Sequence, residues 1–95
     1  MSTYYERHPG LRLTGVEDEG IVLQLDTRRY FSVNESGFVI LEALREPKTA
    51  DELVEVLRSE YDVDPEHARA SILRFLTSCQ GSELVVRVDA ARAIA

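Results

Sequence analysis

Apolar and polar residues alternate over the first third of the chain. From Leu11 to Val33 the pattern divides into three short segments with a period of two, which is the spacing of β-strands with one buried face. Glu17-Asp18-Glu19-Gly20 separates the first two segments, and we expect Gly20 to adopt a positive φ in a hairpin loop. The second connection, Asp26-Thr27-Arg28-Arg29, contains no glycine, so one of its residues is expected to accept a strained or bulged conformation.

Helical spacing replaces the alternation after the third segment. Asn34 or Ser36 is the expected N-cap of a first helix, which should stop before Glu46-Pro47 because the residue preceding a proline disfavours helical geometry. The capping-box sequence Thr49-Ala50-Asp51-Glu52 begins a second helix, which runs to about Tyr61.

A third helix is predicted to follow Asp64-Pro65-Glu66, where the aspartate caps the helix and the proline occupies its first turn. It runs to about Cys79, and Gly81 is the expected left-handed residue at its end. Residues 84–88 can form one more strand. The order predicts an α+β fold, winged helix-turn-helix-like, with a three-stranded antiparallel sheet followed by three helices.

The chain of 95 residues fits one compact domain. We expect a flexible N-terminal segment over residues 1–10, the folded domain over residues 11–88 and a C-terminal tail over residues 89–95. The single cysteine excludes an internal disulfide framework and a cysteine-based zinc site. No apolar run approaches the ~20 residues of a membrane span, and no signal-peptide order is present, so a cytoplasmic protein without membrane contact is expected. The net charge of −6 disfavours nucleic acid as a partner.

Side chains that could carry catalysis or bind a metal are few. His8 and His67 are expected to be solvated, because no HExxH or CxxC spacing accompanies them. Cys79 has the helical spacing of a core residue, and Glu17-Asp18-Glu19 lacks the ligand spacing of a calcium loop. The glycines are scattered, so no phosphate-binding loop is present. These observations predict a protein that is not an enzyme and has no cofactor and no metal site.

Positive charge and aromatic surface adjoin at Arg28-Arg29-Tyr30-Phe31, on an otherwise acidic chain. One interpretation is a turn with two exposed arginines followed by half-buried strand residues. The other is an edge strand whose unpaired N–H and C=O groups accept an extended peptide. The residues alone leave both open.

Five segments of the chain resemble the PqqD family in order and spacing, covering about residues 11–81. They are Gly20 to Asp26, Arg29 to Gly37, Ile40 to Leu44, Thr49 to Leu53 and Glu60 to Glu66. Two departures accompany the likeness: family members usually carry a glycine near Arg28 or Arg29, and they tend to finish soon after the third helix, whereas this chain continues to Ala95.

The resemblance implies a PqqD-like winged-helix peptide-binding domain. In that family the leader segment of a ribosomally made precursor peptide adds as a strand beside the third strand and lies in a groove against the third helix. The partners it implies are this leader peptide and a modifying enzyme, such as a leader peptidase, a cyclase or a radical enzyme, with the domain itself a monomer or weak dimer. Pyrroloquinoline quinone formation, lasso peptide maturation and other pathways all stay open.

The peptide-binding positions carried over from the family fall on one strand and one helix. They are Arg28, Arg29, Tyr30, Phe31, Ser32 and Val33 on the strand, and Arg69, Ile72, Leu73 and Leu76 on the helix. The arginines among them are available to pair with acidic leader residues. Which helix positions face the groove and which the core is left open.

Two other functions compete with peptide binding. The same fold class serves winged-helix DNA-binding transcriptional regulators, but the third helix offers only Arg69 and Arg74 against Glu66 as basic recognition residues. An enzyme or enzyme subunit is the other alternative, and the absence of a catalytic cluster opposes it.

Overall fold

The computed structural model describes residues 3–16 and 19–89. In this part of the chain the elements are β1 (Tyr4–Arg7), β2 (Leu11–Val16), β3 (Glu19–Gln24), β4 (Arg29–Asn34), α1 (Glu35–Ala43), β5 (Lys48–Thr49), α2 (Ala50–Glu60), α3 (Pro65–Gly81) and β6 (Val85–Val88). The predicted α+β class is confirmed, and the three helices occupy the predicted regions.

The three predicted strands are β2, β3 and β4, which form an antiparallel sheet in the order β2-β3-β4. Residues 17 and 18, which make up two of the three acidic positions in the first connection, lie outside the described residues. In the second connection Arg28 adopts a φ of 59°, so the prediction of a strained residue there is confirmed.

Gly20 does not adopt the predicted positive φ. It lies inside β3, directly opposite Gly15 of β2, and the Phe38 ring of α1 packs on it. A Cβ atom at Gly20 would stand 2.2 Å from Phe38 Cδ1 and 2.9 Å from Cγ. The glycine is therefore required by the close approach of a helix to the sheet, a demand that the hairpin pattern does not reveal.

The structure contains a second sheet, in the order β5-β1-β6, whereas the sequence predicted a single sheet. Tyr4–Arg7, in the segment expected to be flexible, is its central strand, and β1 pairs antiparallel with both β5 and β6. Backbone hydrogen bonds from Arg7 N to Leu44 O and from His8 N to Leu84 O, both 2.9 Å, continue the attachment. The predicted strand after Gly81 forms as β6. Residues 90–95 of the predicted tail lie outside the described residues.

Local hydrogen bonds begin the helices where the sequence predicts them. Asn34, one of the two candidate caps of α1, accepts from Gly37 N at 2.8 Å. At α2 both bonds of the capping box form, since Thr49 Oγ1 accepts from Glu52 N at 3.1 Å and Glu52 Oε1 from Thr49 N at 2.9 Å. Asp64 caps α3 by accepting from His67 N at 3.0 Å.

The end of α3 differs from the prediction. Gly81 is the last helical residue and has no positive φ, whereas Glu83 adopts a φ of 60°. The left-handed residue thus lies two positions later, where Leu84 N donates back to Cys79 O at 2.8 Å. The fully buried Gln24 side chain donates to Glu83 O at 2.6 Å and accepts from Asp26 N at 2.8 Å, which ties this bend to the turn before β4.

One hydrophobic core joins the helices to both sheets. Its largest fully buried apolar side chains are Leu41, Leu44, Leu53, Ile72, Leu76, Val22 and Val85. Cys79 is also buried, as its helical spacing predicts. Because α1 and α3 are held to the same core, the strand that precedes α1 has a fixed position relative to α3.

Candidate functional site

Among the described residues, β4 pairs with β3 alone, so its other edge is unpaired. Successive residues of an antiparallel strand direct their N–H and C=O groups to alternate edges. Every second residue of the six-residue β4 therefore presents both groups at the free edge. The structure thus shows the exposed arginines of the first interpretation together with the free strand edge of the second, and the binding of a peptide to that edge stays a prediction.

The side chains of β4 divide between two faces of the sheet. Phe31 and Val33 are half-buried against the core, whereas Tyr30 is 73% exposed and Ser32 is also exposed. Arg29 begins the strand and is exposed. Tyr30 lies on the outer face beside its cross-strand partner Leu23.

Two of the helix positions carried over from the family lie in the core. Ile72 is 0% exposed and Leu76 is 1% exposed. They follow one another at i and i+4 on the central stripe of α3, where Ala68 and Cys79 are also buried. Their side chains are therefore unavailable for direct contact with a peptide in this conformation.

The other two, Arg69 and Leu73, lie on a flank of α3 directed towards the second sheet. Both line a cavity of about 330 Å³ whose wall includes Tyr5 of β1 and Thr49 of β5, and Arg69 forms an ion pair with Asp51. These two side chains therefore lie on the flank that faces the second sheet, and their contact with a peptide on β4 stays a prediction of the family resemblance.

The opposite flank of α3 approaches the end of β4. Two residues along a helix correspond to a rotation of about 200°, so Ser71 and Phe75 point away from Arg69 and Leu73. Phe75 packs on the first turn of α1, where a Cβ atom at Gly37 would stand 3.2 Å from its ring. Ser71 shares a cavity with residues at the end of β4. This flank is the helical side of the candidate site.

That cavity, of about 580 Å³, lies between the start of α1, the end of α2 and the first half of α3. Its lining residues are Asn34, Glu35, Ser36, Leu57, Tyr61, Asp62, Val63, His67, Ala68 and Ser71. Sequence reasoning alone missed it. The signal that could have indicated it is Val63, an apolar residue in the short polar connection between α2 and α3.

One hydrogen bond spans the cavity lining. The Tyr61 hydroxyl donates to Glu35 Oε1 at 2.8 Å, joining the end of α2 to the first turn of α1. Desolvation of the phenol, together with this bond and the nearby carboxylates of Glu35 and Glu60, raises the pKa of Tyr61 to about 12. The raised pKa disfavours the phenolate, and the phenol donates its proton to this hydrogen bond.

Residues with catalytic potential are dispersed. His8, predicted to be solvated, instead has a side chain only 19% exposed, with Nδ1 accepting from Gly10 N at 2.9 Å and Nε2 3.5 Å from Asp26. His67 is exposed, as predicted. Burial raises the pKa of the Cys79 thiol to about 11. Within residues 3–16 and 19–89, no group of three or more His, Cys, Asp or Glu side chains is placed to hold a metal ion.

No helix in the described part of the chain has the length and apolar character needed to cross a membrane.

Three solved structures share this fold. One, described as TbiB1 in complex with the TbiA(beta) leader peptide, is 28% identical, with a TM-score of 0.75 over 84% of this chain and 93% of that one. A lasso peptide synthetase B1 complexed with its leader peptide is 18% identical, with a TM-score of 0.72 over 86% of this chain and 96% of the other.

The third is the PqqD truncation of Methylobacterium extorquens PqqCD, described as a functional, stand-alone recognition element for ribosomally synthesised and post-translationally modified peptides. It is 22% identical, with a TM-score of 0.74, and the match covers 88% of this chain and 89% of that one. No curated protein matches the sequence.

The sequence profile of the family described as Coenzyme PQQ synthesis protein D (PqqD) matches residues 19–85. The match runs from β3 to the first residue of β6 and therefore includes the free-edged strand β4, the three helices and the cavity between them. With the shared fold and this match over most of its length, the chain belongs to the PqqD family.

Proposed function

We propose that this domain binds the leader segment of a ribosomally synthesised precursor peptide and holds it for modifying enzymes, without catalysing a reaction itself. The leader adds as a further strand to the free edge of β4. The observation that carries the proposal is that edge, which is unpaired among the described residues and lies next to a partly open helical flank. Two structures with this fold contain leader peptides, which supports the same mode here.

The backbone ladder alone is too weak for a stable complex. The outward groups of β4 allow about six hydrogen bonds, each contributing about 1 kcal/mol net. A micromolar complex needs about 8 kcal/mol after the cost of association, which is itself several kcal/mol. Side-chain contacts must therefore supply the larger share of the binding free energy.

The side chains proposed to supply it flank the strand. Tyr30 and Ser32 offer contacts on the outer face, and Phe31 and Val33 offer partly accessible apolar surface on the inner face. Arg28 and Arg29 are exposed and, among the described residues, are not ion-paired, so they are available for acidic leader residues.

On the helical side of the groove, we propose Ser71 and Phe75 as peptide contacts in preference to the carried-over positions Arg69, Ile72, Leu73 and Leu76. Ser71 is half-buried on the flank that approaches the end of β4, and Phe75 is partly buried beside it. A peptide added to β4 would pass this flank, whereas Arg69 and Leu73 lie on the other side of the helix.

The enzyme that receives the loaded leader is proposed to be a leader peptidase, a cyclase or a radical enzyme. We place the domain in the cytoplasm, where ribosomes make such precursors, and expect a monomer or weak dimer. A DNA-binding regulator has no comparable support, because Arg69 of α3 is engaged by Asp51 and the net charge is −6.

Amide hydrogen exchange measured by NMR tests the strand addition. The probe is a synthetic peptide covering the leader of a precursor encoded beside this gene. In the free domain, alternate amides of β4 are protected by β3; on adding the peptide, the intervening amides of β4 should become protected as well.

Strand β2 is the matched control, because it is the other edge strand of the same sheet. Its amides should keep their exchange rates when peptide is added, since the α3 flank that carries Ser71 approaches the end of β4. New protection on β2, or chemical-shift changes that leave β4 untouched, would refute the proposed mode of binding.

A further inference from the structure

We propose that the 580 Å³ cavity at the end of β4 binds a bulky apolar side chain of the leader, which we call the anchor. We further propose that the acidic rim of the cavity, formed by Glu35 and Asp62, selects a basic residue next to this anchor. This inference rests on the proposed function and names the chemistry of the peptide that the site accepts. Nothing in the family match assigns a ligand to the cavity.

The cavity has the size and lining of an anchor site. A volume of about 580 Å³ exceeds the space of any one side chain, and the walls include Leu57, Val63, Ala68 and the Tyr61 ring. Apolar surface of this kind gains most free energy when it covers an apolar or aromatic side chain, about 1.5–3 kcal/mol for full burial. That contribution is what the backbone ladder lacks.

The position of the cavity couples it to the edge strand. Asn34, the last residue of β4, is part of the lining, and Glu35 and Ser36 continue it into α1. A peptide that runs along the free edge of β4 therefore reaches the cavity where the strand ends. Its neighbouring residues lie within about 7 Å of the anchor, given the rise of about 3.3 Å per residue.

The two ends of β4 carry side chains of opposite charge. Arg28 and Arg29 lie at its start, whereas Glu35 and Asp62 line the cavity at its end and are exposed. Neither carboxylate is in an ion pair among the described residues, and His67 is the only basic side chain in the lining. A Lys or Arg of the peptide beside the anchor would compensate the charges of the two carboxylates. The site therefore favours a basic peptide residue at the end of β4 and an acidic one at its start, beside the two arginines and about 17 Å away along the strand.

A phage-displayed library of random 12-residue peptides, selected on the wild-type domain, tests the preference. The expected result is enrichment of peptides with Leu, Phe, Tyr or Trp within two positions of Lys or Arg. An enriched peptide is then synthesised with a fluorescein label, and its Kd is measured by fluorescence anisotropy against designed variants.

Ser71→Trp fills the cavity from the surface of α3, and Ala70→Trp places the same side chain on a neighbouring exposed position outside the lining. We expect Ser71→Trp to weaken binding about 10- to 100-fold and Ala70→Trp to change it less than about twofold. The chain contains no tryptophan, so the emission of each variant also reports whether the new ring is buried and the domain folded.

The rim is tested by the double variant Glu35→Gln/Asp62→Asn, which removes both charges and keeps the side-chain shapes. Glu55→Gln/Glu66→Gln removes the same net charge from exposed positions outside the lining. The rim variant should weaken binding about two- to tenfold and the control should not. Equal losses in the two would show a general charge effect and overturn the role of the rim.

The outcomes separate this inference from the proposed function. If enriched peptides shift the β4 amides but bind Ser71→Trp as tightly as wild type, the cavity is not the anchor site, while strand addition stands. If no peptide is enriched on the wild-type domain, both fall. A concentration-dependent dimer in sedimentation that Ser71→Trp abolishes would assign the cavity to a second copy and overturn the inference.

Discussion

Replacing Gly20 with alanine tests how closely α1 is held to the sheet beside the candidate site. The new methyl group would stand 2.2 Å from Cδ1, 2.9 Å from Cγ and 3.1 Å from Cβ of Phe38. Carbon atoms in contact stand about 3.5–4.0 Å apart, so the ring would have to retreat by more than about 1 Å. Because Cβ is also too close, rotating the ring about its own bonds does not relieve the contact, and α1 itself must shift.

Overpacking of this kind costs typically 1–3 kcal/mol. We expect Gly20→Ala to lower the free energy of unfolding by about 2 kcal/mol, because both the ring and the helix backbone are involved. In a domain of this size that corresponds to a fall in Tm of roughly 10 °C. Gly15 is the matched control: its added methyl group would stand 3.5 Å from Phe38 Cζ, an ordinary contact. Gly15→Ala should be neutral or slightly stabilising, since it restricts the unfolded chain.

Thermal unfolding followed by circular dichroism, with urea unfolding for the free energies, checks both variants. A Gly20→Ala variant as stable as wild type would contradict the close contact with Phe38, and so would an equal loss of stability in the two alanine variants. The second result would mean that loss of glycine flexibility, and not contact with Phe38, determines the effect.

Three other changes have defined outcomes. Thr49→Ala should lower the free energy of unfolding by about 1 kcal/mol, whereas Thr49→Ser should retain the capping box with Glu52; equal stability of the two in urea unfolding would contradict the cap. Arg28→Gly should be neutral or stabilising by up to about 1 kcal/mol because Arg28 has a φ of 59°, while Arg29→Gly in β4 should be destabilising; the reverse order would contradict the turn geometry. The Cys79 thiol, with its pKa raised to about 11, should react with Ellman's reagent at pH 8 only after unfolding, and rapid reaction of the native domain would contradict its burial.

Much of the local structure could be predicted because its causes lie within a few residues of one another. The alternation in β2, β3 and β4 and the three capped helix starts follow from side-chain periodicity and short-range hydrogen bonds. The strain in the second connection also follows from local composition, since it contains no glycine and Arg28 takes the left-handed conformation.

The second sheet could not be predicted from such signals. The strand Tyr4–Arg7 is short, and β6, with which it pairs over its whole length, lies far along the chain. Nothing near Tyr4 distinguishes it from a flexible terminus. The packing role of Gly20 could not be predicted either, because the ring that excludes a side chain there belongs to Phe38 of α1, a residue far from Gly20 along the chain.

Local signals in the sequence were enough to predict the fold class, the order of β2, β3, β4 and the three helices, and an edge-prone strand with two arginines at its start. The flank of α3 that accompanies this strand depends on how the elements pack together. Helical spacing places Ile72 and Leu76 on one stripe, but which stripe faces the core depends on packing against distant elements. The same packing brings Asn34, Tyr61 and Ser71 around one cavity. A cavity is the space left between elements after they pack, so no local pattern along the chain encodes it.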